Sequence, residues 1–531
     1  MCDHTEKVPP ELRRMVCDLM PQKSLKDIRL VNQSWSQVSA ALLWHTFASD
    51  LSTPVTRDFD ALLTSQPGGF LDSVRILHIN TAGSSSSQTE TTLLQLLSLL
   101  PRGSLQKFTA DHAMECRTLG VLIRRQPHLR ELSSPICRFN GNKGPPGKRY
   151  VAGNLTGLRV LTIFANNSQE GYDAWFLHSP LLDTLTVSGS LGGGLSIFKP
   201  WSAEPKLKRL KSLHLDNLSF SASAGALDAW LDLRSLQTLT LRNCTRVGNF
   251  LDALATAYTV HSLSPLSSAL KSISIYSAKH NQYEWIGELE GLLAIITGLE
   301  YLYASASTDQ CIDIQSICCQ ATTLRYLVVE YLSSWDQEDD DADLIYGDTE
   351  LQRLSKACSH IEELGLSCPQ IDFIEWPPLE PFEWSPVAMQ SQHEKKLAKF
   401  LDVIATFPKL RVLRMTQSPL DVMDDGSNGP FLERQWRYQQ FGEQVLRYLA
   451  ERHSSVELLA FSPTRVLHNL PSSTPDGNEH TWPHYYYLRG ESETVLPREF
   501  RKKQIVAVPI KRSDIGSYME ESRILVDPGE V

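Results

Sequence analysis

The residue types that could support catalysis or metal binding occur in this chain at spacings that fail in identifiable ways. His393-Glu394 opens like the helical zinc motif in which two histidines four apart share one face with a glutamate base, but the position that needs the second ligand is Leu397. Gly141 to Lys148 is one residue too long for a phosphate-cradling loop, carries prolines where backbone N–H groups are needed, and continues into Arg149 instead of Ser or Thr. The acidic run from Trp335 to Asp343 lacks the glycine turn and terminal glutamate of a calcium loop and reads as a solvated surface loop. His480 and His484 flank Trp482 with no partner cysteines. There is no Gly-x-Ser-x-Gly elbow and no dinucleotide fingerprint. The sequence therefore predicts no catalytic residues, no metal and no cofactor, and what remains is recognition through apolar and aromatic side chains.

The elements that would position such side chains begin with Val8 to Phe47, VPPELRRMVCDLMPQKSLKDIRLVNQSWSQVSAALLWHTF. Pro9-Pro10-Glu11 opens a helix, with proline losing no intrahelical bond at the first position and an acid suiting the macrodipole. Leu12, Met15, Val16 and Leu19 fall on one face of it. Pro21 stops that helix, and Ser24 with Asp27 has capping-box spacing for a second helix carrying Leu25, Ile28 and Val31. A third begins near Ser34, bears Trp35, Val38 and Leu42, and ends at Leu43-Trp44. Three helices in about forty residues make so small a core that an outside partner is expected.

This stretch resembles an F-box, in Val8-Pro9-Pro10-Glu11-Leu12, Ser24-Leu25, Arg29-Leu30-Val31, Trp35 and Leu43-Trp44, with Val8, Ser24 and Asn32 as departures from the family's usual residues. The resemblance implies docking onto a Skp-type adaptor of a cullin-RING ubiquitin ligase, through Pro9, Leu12, Leu25, Val31 and Trp35.

The length of 531 residues predicts more than one module or a repeat array. A net charge of -10 argues against nucleic acid as a partner and leaves proteins as the default. Ten cysteines without a framework fit a reducing compartment. The N-terminus has no leader pattern, and the longest apolar run, Leu93 to Leu100, is too short to span a bilayer. A cytosolic or nuclear protein without membrane attachment is expected.

Beyond residue 70 a phrase recurs, apolar-x-x-apolar-x-apolar, often with a charged residue second. It begins at Val74, Leu105, Leu129, Leu158, Leu182, Leu210, Leu236, Leu270, Leu299, Leu324, Ile361, Leu410 and Val456. From Val74 to Leu324 the steps are roughly 24 to 34 residues, the period of leucine-rich repeats, and Asn166 and Cys244 sit where such repeats place Asn or Cys. Helical returns such as TTLLQLLSLL, CRTLGVLIRR and NFLDALATAY lie between phrases. The resemblance implies an α/β fold: an N-terminal three-helix F-box, then a leucine-rich-repeat solenoid with parallel strands on the concave face and helices on the convex face, then a C-terminal cap. The expected boundaries are an F-box at 1–50, a connecting helix and turn at 51–70, the repeats at 71–467 with insertions at about 335–349, 368–400 and 417–453, and a cap and tail at 468–531.

The same order of modules implies a substrate receptor of a Skp-cullin-F-box ligase, or else a scaffold that binds the adaptor without cullin. Period-two alternation aims the residues between the apolar ones outward. Those are Thr162, Thr186, His214, Thr240 and Ser274 at first, whereas Tyr276, Tyr301, Tyr303 and Tyr326, with Glu330, change the character of the middle strands. Tyrosine is enriched at interface centres, so these five residues form the expected substrate surface, unless an inserted loop covers them.

Overall fold

The computed structural model describes residues 8–50, 71–80, 87–111, 114–135, 155–165, 179–189, 207–220, 231–261, 269–276, 285–306, 310–331, 345–369, 371–372, 392–416, 420–421, 431–461, 485–495, 501–510, 514–518 and 522–525. The connecting helix at 51–70, the loops at 137–154 and 190–201, Asn166, the acidic run at 335–343, the proline- and tryptophan-rich stretch at 373–385, His480 and His484 lie outside them.

The chain forms two compact units, Met1–Leu236 and Gln237–Val531. The first opens with α1 (Pro10–Asp18), α2 (Gln22–Ile28) and α3 (Gln33–Leu43), with α1 and α2 each packed on α3. Pro10 and Glu11 start α1 as their chemistry requires. Helix α2 begins at Gln22, ahead of the Ser24–Asp27 spacing and without a side-chain cap. The side-chain cap falls on α3 instead, where the Trp35 N–H donates to Asn32 Oδ1 at 3.0 Å. Trp44 closes α3, and the chain turns at once into β1 (Thr46–Asp50), which pairs in parallel with β2 (Ile76–Asn80). The third helix thus ends at the expected Leu43-Trp44, and the sheet starts two residues later.

Helix α4 (Ser87–Leu99), β3 (Lys107–Ala110), α5 (Cys116–Arg125), β4 (Glu131–Pro135), β5 (Val160–Ala165), β6 (Thr184–Gly189) and β7 (Ser212–Asp216) complete the first unit, its strands parallel and neighbouring in chain order.

The second unit continues the same construction with β8 (Thr238–Arg242), α6 (Val247–His261), β9 (Ser272–Tyr276), α7 (Ile286–Ile295), β10 (Tyr301–Ala306), α8 (Ile314–Cys318), β11 (Tyr326–Tyr331), α9 (Asp348–Ala357) and β12 (Glu363–Leu366). A two-residue β13 (Ile371–Asp372) precedes α10 (Gln392–Ile404) and β14 (Val412–Met415), and pairs with the equally short β15 (Leu420–Asp421). Then come α11 (Phe431–Glu451) and β16 (Leu458–Phe461), the last of the parallel strands. Two antiparallel strands, β17 (Tyr485–Val495) and β18 (Arg501–Pro509), pair onto the edge of β16, and α12 (Ile515–Tyr518) follows. The expected insertions at about 368–400 and 417–453 take in most of α10 and all of α11, whereas the one at about 335–349 lies mostly outside the described residues and reaches only the first two residues of α9. His393 and Glu394 sit on α10, where Leu397 is a core residue.

All thirteen phrases become strands, each beginning two residues after the first apolar position, and all thirteen first positions are buried. One face of each strand carries the leucine ladder. Phe461 shows what lies over that face at the end of the second unit: its ring meets Tyr438 and Phe441 of α11 at centroid distances of 6.2 and 5.4 Å. The charged second position of the phrase pairs with its neighbour on the next strand, as in Lys271–Glu300 at 2.7 Å and Arg325–Glu362 at 2.8 Å. Being exposed, such pairs contribute about 0 to 1 kcal/mol each and mainly favour the register.

A second recurring device joins successive repeats. Gln126 accepts from the Leu105 N–H at 3.0 Å and donates to Pro101 O at 3.0 Å, just past the end of α4. Gln320 does the same a unit later, accepting from the Leu299 N–H at 3.3 Å and donating to Leu293 O and Ile296 O at the end of α7, at 2.7 and 2.8 Å. Helix C-termini leave carbonyls without intrahelical donors, and a buried glutamine satisfies them where water is excluded.

Candidate protein-binding surfaces

Helix α1 turns outward the face that an isolated domain would bury. Leu12, Met15, Val16 and Leu19 are exposed, Leu19 to 86% of its surface, while Arg13 and Cys17 point inward. Arg13 is accommodated because its Nε donates to the Val8 carbonyl at 2.7 Å. Met20, Leu30 and Val31 are exposed too, so that seven of the twelve exposed large apolar side chains among the described residues fall between positions 12 and 31. The four on α1 share one helix face, and an exposed apolar face of this kind is a candidate interaction surface.

Of the five residues assigned to adaptor docking, Pro9, Leu12 and Val31 lie at this surface. Leu25 does not: it is buried, because α2 offers only Leu25 and Ile28 to fill the space against α3. Trp35 is half-buried, and its indole nitrogen is enclosed with no acceptor among the described residues. Met15, Val16, Leu19 and Leu30 belong to the patch as well. In sequence the helical spacing of Met15, Val16 and Leu19 is that of a core stripe, and periodicity does not tell which side of a helix is covered.

The second surface is on the strands of the second unit. Register places Ser272, Tyr301, Tyr326, Glu363, Val412 and Leu458 side by side, with Ser274, Tyr303, Val328, Gly365, Arg414 and Ala460 two residues further along each strand. Tyr276, Ser305 and Glu330 form a third row. The expected tyrosines therefore share one face, opposite the leucine ladder, as alternation requires.

That face is covered. Tyr276, Tyr301, Tyr303 and Glu330 are buried, which corrects the expectation of an open substrate surface. Their apolar cluster includes Tyr486 of β17 and, from the end of the chain, Ile510, Ile515, Ile524 and Leu525. The C-terminal segment is thus part of the cover. Large apolar rings on a second sheet face need such a cover, since leaving them wet costs roughly 25 cal/mol per Å². Tyr303 donates to Glu330 Oε2 at 3.3 Å, and burial pushes the Tyr301 hydroxyl far above the ordinary phenol range.

Polar contacts fix the covering segment. Glu363 is buried, and its Oε2 accepts from Ser522 Oγ at 3.0 Å, the Arg523 N–H at 3.0 Å and the Ile524 N–H at 3.1 Å. Burial raises the Glu363 carboxyl above its ordinary value, and these three hydrogen bonds oppose the rise. From the next strand, Arg414 Nη1 donates to the Ile524 carbonyl. Tyr326, half-buried, has the guanidinium carbons of Arg523 and Arg325 at 5.0 and 5.4 Å from its ring centroid. Nothing in the composition marks Glu363 or Arg414 as special. Their signal is positional, a carboxylate and a guanidinium at strand positions where neighbouring repeats carry Ser, Tyr, Val or Ala.

Among the described residues no three His, Cys, Asp or Glu side chains converge to hold a metal ion, and no helix is long and apolar enough to cross a membrane. No protein-family model and no curated protein matches this chain.

Proposed function

We propose that this chain is a non-catalytic F-box adaptor, the substrate-recognition subunit of a Skp-cullin-F-box ubiquitin ligase working in the cytoplasm or nucleus. In this reading the three N-terminal helices hold a Skp-type adaptor, and the strand phrases are leucine-rich-repeat units that hold a protein substrate. The supporting observation is the unpartnered apolar face of α1 and of the segment after α2. Pro9, Leu12, Leu30 and Val31 on it are positions of the F-box motif, and so small a helical unit leaves them for a partner to cover.

The test is co-purification of the adaptor with the full chain and with a Leu12→Asp/Leu30→Asp variant. Both side chains are exposed, so the variant should melt within about 1 kcal/mol of wild type, as surface substitutions do. Adaptor recovery is expected to fall at least tenfold. Undiminished recovery with a folded variant would sink the reading, and cullin in the wild-type pull-down would separate a ligase subunit from a plain scaffold.

A further inference from the structure

The covering segment sits on the sheet face as a bound peptide does, and the contacts divide into two kinds. Main-chain groups are held by side chains of the sheet: Glu363 takes two successive N–H groups and Arg414 takes one carbonyl. Those contacts would serve any chain that bends in the same way at that place, whatever its sequence, since they hold only main-chain groups. Side chains supply the selectivity, with the Ser522 hydroxyl on Glu363, the Arg523 guanidinium against Tyr326, and Ile524 and Leu525 buried among the tyrosines and Val328.

The sheet has no structural need for those two charges. Strands β10 and β11 put Tyr301 and Tyr326 in the row of Glu363, and Tyr303 and Val328 in the row of Arg414, and these strands form the same parallel ladder without them. A buried carboxylate and a buried guanidinium are costly unless hydrogen-bonded, and here much of that bonding comes from residues over a hundred positions away in the chain. A carboxylate and a guanidinium that together take two N–H groups and a C=O of one bent segment are the equipment of a peptide site.

We infer that the face formed by Tyr326, Glu363 and Arg414 is a recognition site for a short bent segment of a partner protein reading hydroxyl, basic, aliphatic, aliphatic, and that this chain's own Ser522–Leu525 is a displaceable resident occupant. The partner segment competes with the resident one, so the site is masked until a local concentration of partner or a loss of the C-terminal contacts opens it. This stands independently of whether the N-terminal helices bind an adaptor.

The experiment uses the full chain and a fluorescent peptide of this chain's residues 519–528, MEESRILVDP, followed by anisotropy. Ile524→Asp/Leu525→Asp in the protein should undock the resident segment and tighten peptide binding at least tenfold over wild type. Adding Glu363→Gln to that variant should remove most of the gain, and a peptide with Ser in place of the two aliphatic residues should not bind. Failure of the folded, undocked variant to bind, or equal binding of the substituted peptide, overturns the proposal. Should the undocked variant not fold, amide hydrogen exchange on wild type decides. The Arg523 and Ile524 amides are expected to exchange at least tenfold faster than those of β12, through local release. Exchange only together with β12 would make the segment a permanent part of the core and overturn the proposal equally.

Discussion

The two units make strands from the same phrase and treat the second face of those strands differently. In β2, β3, β6 and β7 burial alternates, with the leucine ladder buried and the residues between it half-buried or exposed. In β10, β12, β14 and β16 every residue is buried. The cause is chemical. The first unit offers Thr162, Thr186 and His214 at the positions where the second offers Tyr303, Val328 and Ala460. Hydroxyls and an imidazole remain stable when half-wet, whereas tyrosine, valine and alanine in a contiguous patch demand a cover. Two-sided burial normally belongs to sheets with helices on both faces. Here a C-terminal segment takes the place of the second helical layer.

The sharpest way to break the comparison is to put a charge at equivalent positions. Val328 and Thr162 both fall fifth in their phrases, LRYLVV and LRVLTI. Val328→Asp buries a carboxylate against Tyr301, Tyr303 and the C-terminal segment, and should cost the second unit about 3 to 5 kcal/mol in urea unfolding. Thr162→Asp keeps its charge at a half-buried position, and should cost about 1 kcal/mol or less, the range of strand propensity. Similar losses at the two sites would mean that the second face is no more sealed in one unit than in the other.

A smaller effect tests what the units share. Gln320→Ala leaves the Leu299 N–H and the Leu293 and Ile296 carbonyls without their side-chain partner, and Gln126→Ala does the same to Leu105 and Pro101. Each should destabilise its own unit by roughly 1 to 3 kcal/mol, read from hydrogen exchange of that unit's strand amides. A near-zero loss at either site would remove the glutamine link from the account of how repeats are joined.

How much of this is legible in the sequence depends on the distance over which the cause acts. The strands were legible, because the apolar ladder is local and each phrase leads its strand by the same two residues. Returns such as Ser87–Leu99 and Val247–His261 were legible for the same reason. The row shared by Tyr303 and Val328 was legible from alternation, but its cover was not, since Ser522 lies 159 residues from Glu363 and belongs to no periodic pattern. The α1 patch shows the converse limit. Leu12, Met15, Val16 and Leu19 were visible as one face, and only the burial of Arg13 and Cys17 instead reveals that this face is open.

The smallest effect belongs to the uncovered side of the comparison and depends on pH. His214 lies on β7 beside Thr186, where partial burial holds its imidazole below the ordinary value of about 6.5. The folded chain therefore binds the proton less readily than the unfolded one. Stability owed to neutral His214 is fully present above the unfolded value and is lost as pH falls from there through the depressed folded value, with no further loss below both. His214→Gln retains a polar side chain of similar reach and removes the titration. The wild-type first unit should thus lose more stability than the variant between about pH 7 and pH 5, by less than the Gln126→Ala effect, in urea unfolding at matched ionic strength. Parallel pH profiles for the two proteins would show that this face is wet enough to leave the imidazole unshifted, and would place the first unit further still from the sealed face of the second.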